Sequence, residues 1–205
     1  DVHGTYDTYG GNRDAAVRHA VQFPGIDPTV LIPALAAATE HLGFGVTYST
    51  TYFPPFQAAK LFSTLDHLTN GRIAWNVVNS YLPDAQRQGL GLQLAHDERY
   101  DRADEYLDVC YKLWEQSWDD GAIVLDAAND VHTDPSKVHE IDHHGRWFDV
   151  QGPHMVEPSP QRTPVIFQAG SSARGMQFAS RHGEAVFVAA PQGPAGAELV
   201  TQLRE

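Results

Sequence analysis

The stretch GRIAWNVVNS, Gly71 to Ser80, decides how the rest of the chain is read. A turn at Asn70-Gly71 leads into an apolar run, Ile73 to Val78, which stops on Asn79 and Ser80. A short apolar run bounded by turn residues predicts a strand covered on both faces, as in parallel sheets. Asn76 breaks the run where a purely structural strand would carry another aliphatic residue, so its amide asks for a reason.

Outward from this strand, helices and strands alternate. On the N-terminal side, residues 1–27 show no clear period and read as loop. Asp27-Pro28 then predicts a helix to His41, with Asp27 as N-cap, Pro28 at its first position, and Pro33 in its first turns. Phe44 to Thr51 reads as a strand, and Pro54-Pro55 opens a helix to about Leu68. On the C-terminal side, a loop from Tyr81 to His96 precedes the strongest helical pattern. Asp97 is expected to cap it, and Tyr100, Ala103, Leu107, Cys110, Trp114 and Trp118 form its apolar stripe. Asp101, Glu105, Asp108, Lys112 and Glu115 fall on other faces and read as a solvated charge run. Two short strands, Val138 to Asp142 and Arg146 to Val150, are expected to flank a turn at His143-His144-Gly145. Pro164 to Ala169 is a buried strand, and Gly170-Ser171-Ser172 leads into a helix to about His182. Ala185 to Ala189 is a further short strand, followed by a helix after Pro194.

The alternation of apolar strands with helices predicts an α/β fold with a parallel sheet. A barrel and a doubly wound sheet both fit. No internal repeat or linker is visible, so 1–205 reads as one domain, and 119–163 is too long for a plain βα loop and reads as an insertion with its own hairpin. The chain begins at Asp1 without Met and ends at Glu205 in mid-helix, which suggests part of a longer polypeptide.

Composition narrows the partners. Acidic residues outnumber basic ones 26 to 14, a formal net charge of −12. Such a balance disfavours nucleic acid and anionic membrane surfaces. No apolar run approaches the ~20 residues of a membrane span. Cys110 is the single cysteine, so no intrachain disulfide forms and a reducing cytoplasm is the simplest location.

Ligands of α/β sheets and barrels meet the carboxyl ends of the parallel strands. Three strand ends here are polar: Thr47, Ser49, Thr50 and Thr51; Asn76, Asn79 and Ser80; and Gln168 to Ser172. Such residues are also ordinary turn formers and caps, but three such ends together point to a site. Gly170-Ser171-Ser172 joins a strand to a helix N-terminus, whose unpaired N–H groups favour a phosphate without much help from basic side chains; Arg174 stands near enough in sequence to assist. His96 and Tyr100, four residues apart, can face one side. The histidines of 139–144 do not converge under strand alternation and there is no helical HExxH, so no metal is expected. Cys110, on an apolar helix face, reads as core.

Four segments resemble one family: LDHLTNGRIAWNVVNS (65–80), HDERYDRADEY (96–106), VHEIDHHGRWFDVQGP (138–153) and PVIFQAGSSARG (164–175). They are similar to the luciferase-like flavin monooxygenases, in the branch of nitrilotriacetate monooxygenase, dibenzothiophene-sulfone monooxygenase and pristinamycin synthase. The resemblance implies a luciferase-like (β/α)8 TIM barrel of roughly twice this length, present here as a partial barrel. It implies reduced FMN as co-substrate, delivered by a separate NAD(P)H:flavin reductase, and O2, which forms a flavin C4a-peroxide that oxygenates a small organic substrate. It also implies a homo-oligomer. By position, Asp1, Thr47, Ser49, Asn79, His96, Tyr100, Gly170, Ser171 and Ser172 would contact the flavin, with Asn76 and His96 at the reacting centre. The family's usual Thr-Ser after the strand is Asn79-Ser80 here; an Asn can still donate to a phosphate. Phe53, Phe56 and Tyr81 hint at an apolar or aromatic substrate, although each also reads as packing. Two alternatives are a deazaflavin-dependent oxidoreductase of the same superfold and a non-catalytic flavin-binding paralogue.

Overall fold

The computed structural model describes residues 14–21, 25–80, 94–187 and 193–202. Asp1, Tyr81 and most of the loop after it lie outside the described residues.

A helix that the sequence did not announce comes first, α1 (Asp14–His19). It is too short to show a period, but its acidic start and basic end, Arg18-His19, suit the helix dipole. Asp27 caps α2 (Pro28–Ala37) as expected, its carboxylate accepting from Thr29 N at 2.9 Å. The helix stops at Ala37 rather than His41, and Pro33 lies in its second turn. Arg72, from the opening motif, helps close it: its guanidinium donates to Ala36 O, Leu42 O and Thr69 O at 3.1, 3.0 and 2.8 Å. One cation thereby serves the carbonyl ends of two helices, where partners are scarce and positive charge is favoured.

β1 (Phe44–Ser49) is followed by α3 (Pro55–Thr69), which ends on Asn70 at φ 52° with Gly71 next at φ 79°. Asn and Gly tolerate this left-handed backbone, which turns the chain directly into β2 (Ile73–Val78). α4 (His96–Glu115) follows. Two antiparallel pairs then occupy residues 119–163: β3 (Ile123–Asp126) with β4 (Val131–Thr133), and β5 (His143–His144) with β6 (Asp149–Val150). The expected turn at His143-His144 is therefore a strand, and Val138–Asp142 is not one. The reason is that His143 turns inward toward α4, where it meets Lys112 Nζ at 3.2 Å, so the reversal falls after it. The chain returns through β7 (Val165–Gln168), α5 (Ala173–His182), β8 (Ala185–Val186) and α6 (Pro194–Gln202).

The main sheet has the order β1-β2-β7-β8, every pair parallel. Each new strand joins the same edge. A doubly wound sheet would reverse direction at a switch point; this sheet does not, and it is an arc of a β/α barrel wall. One face of the arc carries Val46, Ile73, Trp75, Val77 and Ile166, buried against α3, α4 and α5. Trp75 is its centre, stacked on Phe62 at 4.7 Å and edge-on to Tyr106 and Trp114. Strand alternation puts Gly45, Thr47, Ser49, Ala74, Asn76 and Phe167 on the other face, the barrel interior. Gly45 fits there because the Phe167 ring crosses over it; a Cβ would approach that ring to 3.1 Å. Among the described residues no helix is long and apolar enough to cross a membrane.

Candidate functional site

The ends of β1 and β2 are tied side chain to side chain. Thr47 and Asn76 are register partners, and Asn76 Nδ2 donates to Thr47 Oγ1 at 2.9 Å. Asn76 Oδ1 is buried with no hydrogen-bond partner among the described residues. Leaving such an acceptor unpaired costs about 1–3 kcal/mol, so the amide is not there for strand stability. One step further, Thr50 Oγ1 donates to Asn79 Oδ1 at 2.6 Å, which leaves the Asn79 amino group as its donor side. Ser49 is fully buried, and its hydroxyl accepts from Thr51 N at 3.1 Å and from Ser80 Oγ at 2.9 Å. Ser49 holds the turn after β1 together.

The first turns of α4 lie across these ends. Asp97 is not the cap, as the sequence suggested; Ala95 is, without a side-chain bond, and Asp97 and Glu98 sit in the first turn where the dipole favours them. His96 Nδ1 hydrogen-bonds Asp97 Oδ1 at 2.6 Å. Arg99 Nη1 donates to Ser80 O at 3.0 Å and Arg102 Nη1 to Thr50 O at 2.5 Å, fastening the helix to β2 and β1. Tyr100 carries the His96 ring edge-on at 5.3 Å and packs on Phe178.

Tyr100 also reaches the turn after β7. A Cβ on Gly170 would lie 2.9 Å from its hydroxyl, and one on Gly175 would lie 2.8 Å away. Only glycine lets turn, helix and phenol approach this closely. Ser172 caps α5, its Oγ accepting from Gly175 N at 3.0 Å, and Gln168 Oε1 accepts from Gly170 N. Ser171 is exposed. Asn76 is in register with Phe167, so the chain leaves β2 and β7 as neighbouring strands. The structure thus gathers Thr47, Asn76 and Asn79 with His96, Tyr100 and the Gly170–Ser172 turn at one end of the sheet. Asp1 lies outside the described residues. Phe53 stacks on Tyr48 at 4.9 Å and Phe56 packs against the core.

Arg174 does not serve the turn as a free cation. Its Nη2 donates to Asp101 Oδ1 at 2.9 Å and also to Asp104. Burial opposes its charge, but the hydrogen bonds it donates to Asp104 and Asp101 outweigh burial and hold its pKa up. The supposedly solvated charge run of α4 is in fact its docking seam. Arg181 pairs with Asp108 at 3.1 Å, and Glu105 accepts backbone N–H bonds from Arg146, Trp147 and Phe148 at 2.8–3.1 Å. Burial raises the Glu105 pKa, yet the Trp147 and Phe148 N–H bonds overcome it and the net shift is downward. Asp104 and Glu105 stand between Ala103 and Tyr106, both fully buried, which was the available signal that they do not face bulk water. Cys110 is fully buried as expected. Among the described residues no three His, Cys, Asp or Glu side chains come together as a metal site.

A model of the luciferase-like monooxygenase family matches residues 14–205. The chain belongs to that family. It is 61% identical over 189 residues to the long-chain alkane monooxygenase of Geobacillus thermodenitrificans (strain NG80-2), covering 92% of this chain and 43% of that protein. It is 51% identical over 188 residues to the dibenzothiophene-sulfone monooxygenase of Rhodococcus erythropolis, covering 90% of this chain and 41% of the other. The crystal structure of a long-chain alkane monooxygenase matches all of this chain and 47% of its own with a TM-score of 0.95 and 57% identity. A riboflavin lyase crystallised with modified FMN and riboflavin matches with a TM-score of 0.90 and 40% identity, over 100% of this chain and 46% of that one. The chain therefore spans less than half the length of the luciferase-like relatives it matches, and its sheet is part of their barrel.

Proposed function

We propose that this chain carries the flavin-binding side of a reduced-flavin-dependent monooxygenase that uses O2 to oxygenate a small organic substrate. A separate flavin reductase supplies the FMNH2, and copies of the protein assemble as a homo-oligomer. The observation that carries this reading is the Thr47–Asn76 pair on the barrel interior, with its buried, unpartnered Asn76 Oδ1. A flavin ring edge presents N–H donors that such an acceptor can take. Gly170, Ser171 and Ser172 fit the ribityl phosphate, because the α5 N-terminus offers N–H donors and the glycines let Tyr100 brace the turn closely. The Asn79 amino group adds a donor at the same end.

Reduced flavin, when bound, supplies the electrons that activate O2. The chain's own groups do the rest. Thr47 and Asn76 would hold and orient the ring. Tyr100 fixes the distance between α4 and the phosphate turn. His96, with Nδ1 turned to Asp97, keeps Nε2 as the nitrogen that can hold or give a proton at the reacting centre.

The test is an anaerobic titration with reduced FMN, then admission of air, on the wild-type chain and on Asn76→Ala. Wild-type binding, with about 10-fold or greater loss of flavin-dependent O2 consumption in the variant and a melting temperature no lower than that of wild type, supports the reading. Equal turnover in Asn76→Ala refutes the role of the amide. Failure of the wild-type chain to bind reduced FMN refutes the flavin site.

A further inference from the structure

The phosphate turn must be held at a fixed height above α4, and one side chain is bonded to both ends of the helix that carries it. Asp104 lies on α4 one turn after Tyr100, its side chain only 17% exposed. Its Oδ2 accepts from Arg174 in the first turn of α5. Its Oδ1 meets His182 Nε2 at 2.8 Å in the last turn, with Arg181 Nη1 at 3.6 Å. His182 is itself buried, its Nδ1 3.2 Å from Tyr111 Oη and its ring against Phe178 at 4.7 Å. The Arg174 guanidinium, held by Asp104 and Asp101, lies 5.6 Å from the Tyr100 ring centroid.

We infer that Asp104 is a positioning residue for phosphate recognition, an inference that rests on the reading of Gly170–Ser172 as the phosphate-binding turn. With both ends of α5 tied to one carboxylate, the helix cannot slide along α4. Its N-terminus then stays where Tyr100 Oη, Gly170 and Gly175 are in contact. Hydrogen bonds of the carboxylate to Arg174 and His182 outweigh its burial and keep it ionised, so the clamp is charge-assisted throughout. The device also explains why Arg174 is spent on carboxylates. Its charge sets the pose of α5, while the phosphate is left to N–H and hydroxyl donors whose direction that pose determines. The ligand class selected is a phosphate monoester of a flavin, over the same flavin without phosphate.

The experiment compares binding of reduced FMN and reduced riboflavin, measured anaerobically by calorimetry on the whole chain. Wild type should prefer FMN; equal affinity for the two would refute the phosphate-turn reading and this inference with it. Given that preference, Asp104→Asn should weaken FMN by about 10-fold while riboflavin changes less than about 2-fold, since one charge-assisted contact set is lost remote from the ring. An unchanged FMN-to-riboflavin ratio overturns the positioning role and leaves the phosphate turn intact. Should Asp104→Asn fail to fold, Arg174→Gln breaks the same clamp from α5 and should lower the ratio equally. Asp108→Asn makes the same change one turn further along α4, cutting the rung to Arg181 without removing any partner of Asp104, and should leave the ratio unaltered; a comparable drop there would show a general charge effect and overturn the inference.

Discussion

Glu105→Gln isolates a dense non-local contact, one carboxylate that accepts from three consecutive backbone N–H groups. The carboxylate accepts from Phe148 N at 2.8 Å and Trp147 N at 3.0 Å through Oε1, and from Arg146 N at 3.1 Å through Oε2, with His143 Nε2 3.4 Å away. Glutamine keeps one oxygen and turns an NH2 toward N–H groups that need an acceptor. Hydrogen bonds to charged groups contribute roughly 1.5–3 kcal/mol each, so losing the Oε2 bonds and the charge behind the others costs about 3 kcal/mol. For a chain of this size each kcal/mol moves Tm by about 2–4 °C, giving a drop of roughly 6–12 °C. Thermal melts followed by circular dichroism and tryptophan fluorescence measure it, Trp147 being a local reporter. Gly145→Ala should be destabilising through the same contact, because its Cβ would collide with Glu105 Oε1. The double variant should then fall short of the sum of the singles. The folded pKa of Glu105 is depressed, so its contribution is present above the ordinary carboxylate value of 4.5 and is lost as pH falls through the folded pKa. A Tm shift below about 2 °C, or additive singles, would refute the reasoning.

Three further outcomes follow from the same structure. Ser172→Ala removes the Oγ that accepts from Gly175 N; it should cost about 1 kcal/mol in urea unfolding and weaken FMN more than riboflavin. His154 is buried beside Ser63 Oγ at 2.9 Å, and burial, with Lys60 adding to it, lowers its pKa from 6.5 to about 4. Between those values the unfolded chain binds the proton and the folded chain does not, so stability should rise with pH across that window by up to about 3 kcal/mol; His154→Gln should flatten that slope, and an unaltered slope would count against it. The buried Cys110 thiol, its pKa pushed up by burial, should resist thiol reagents in the folded chain and react with the kinetics of unfolding.

What was legible in the sequence was local. Asp27 and Pro28 announced the start of α2, and Asn70-Gly71 announced the turn into β2, because caps and left-handed turns are set within a few residues. The periodicity of α4 was legible too, but it misled at its end. Trp118 continues the spacing, yet the helix stops at Glu115, and Trp118 Nε1 donates to His154 O at 2.9 Å. Strand order was out of reach of any local pattern: the residues alone left barrel and doubly wound sheet level, the family resemblance favoured the barrel, and pairing then placed β7 beside β2. The seam of α4 was hidden for the same reason: the partners of Asp101, Asp104, Glu105 and Asp108 lie 38 or more residues further along the chain.

The same distinction sorts the site residues by what each polar atom is for. Ser49, Asn79 Oδ1, Ser172 Oγ and Arg174 all have partners within the protein, and those partners fix turns, a cap and a helix pose. Asn76 Oδ1 has none among the described residues and is buried. A buried acceptor without a protein partner calls for one from outside the described residues, a water or a ligand. Residue types alone could place Ser, Thr, Asn and Gly at the strand ends. Only the hydrogen-bond accounting separates the groups that hold the site's shape from the one in β2, Asn76 Oδ1, that we propose for a ligand.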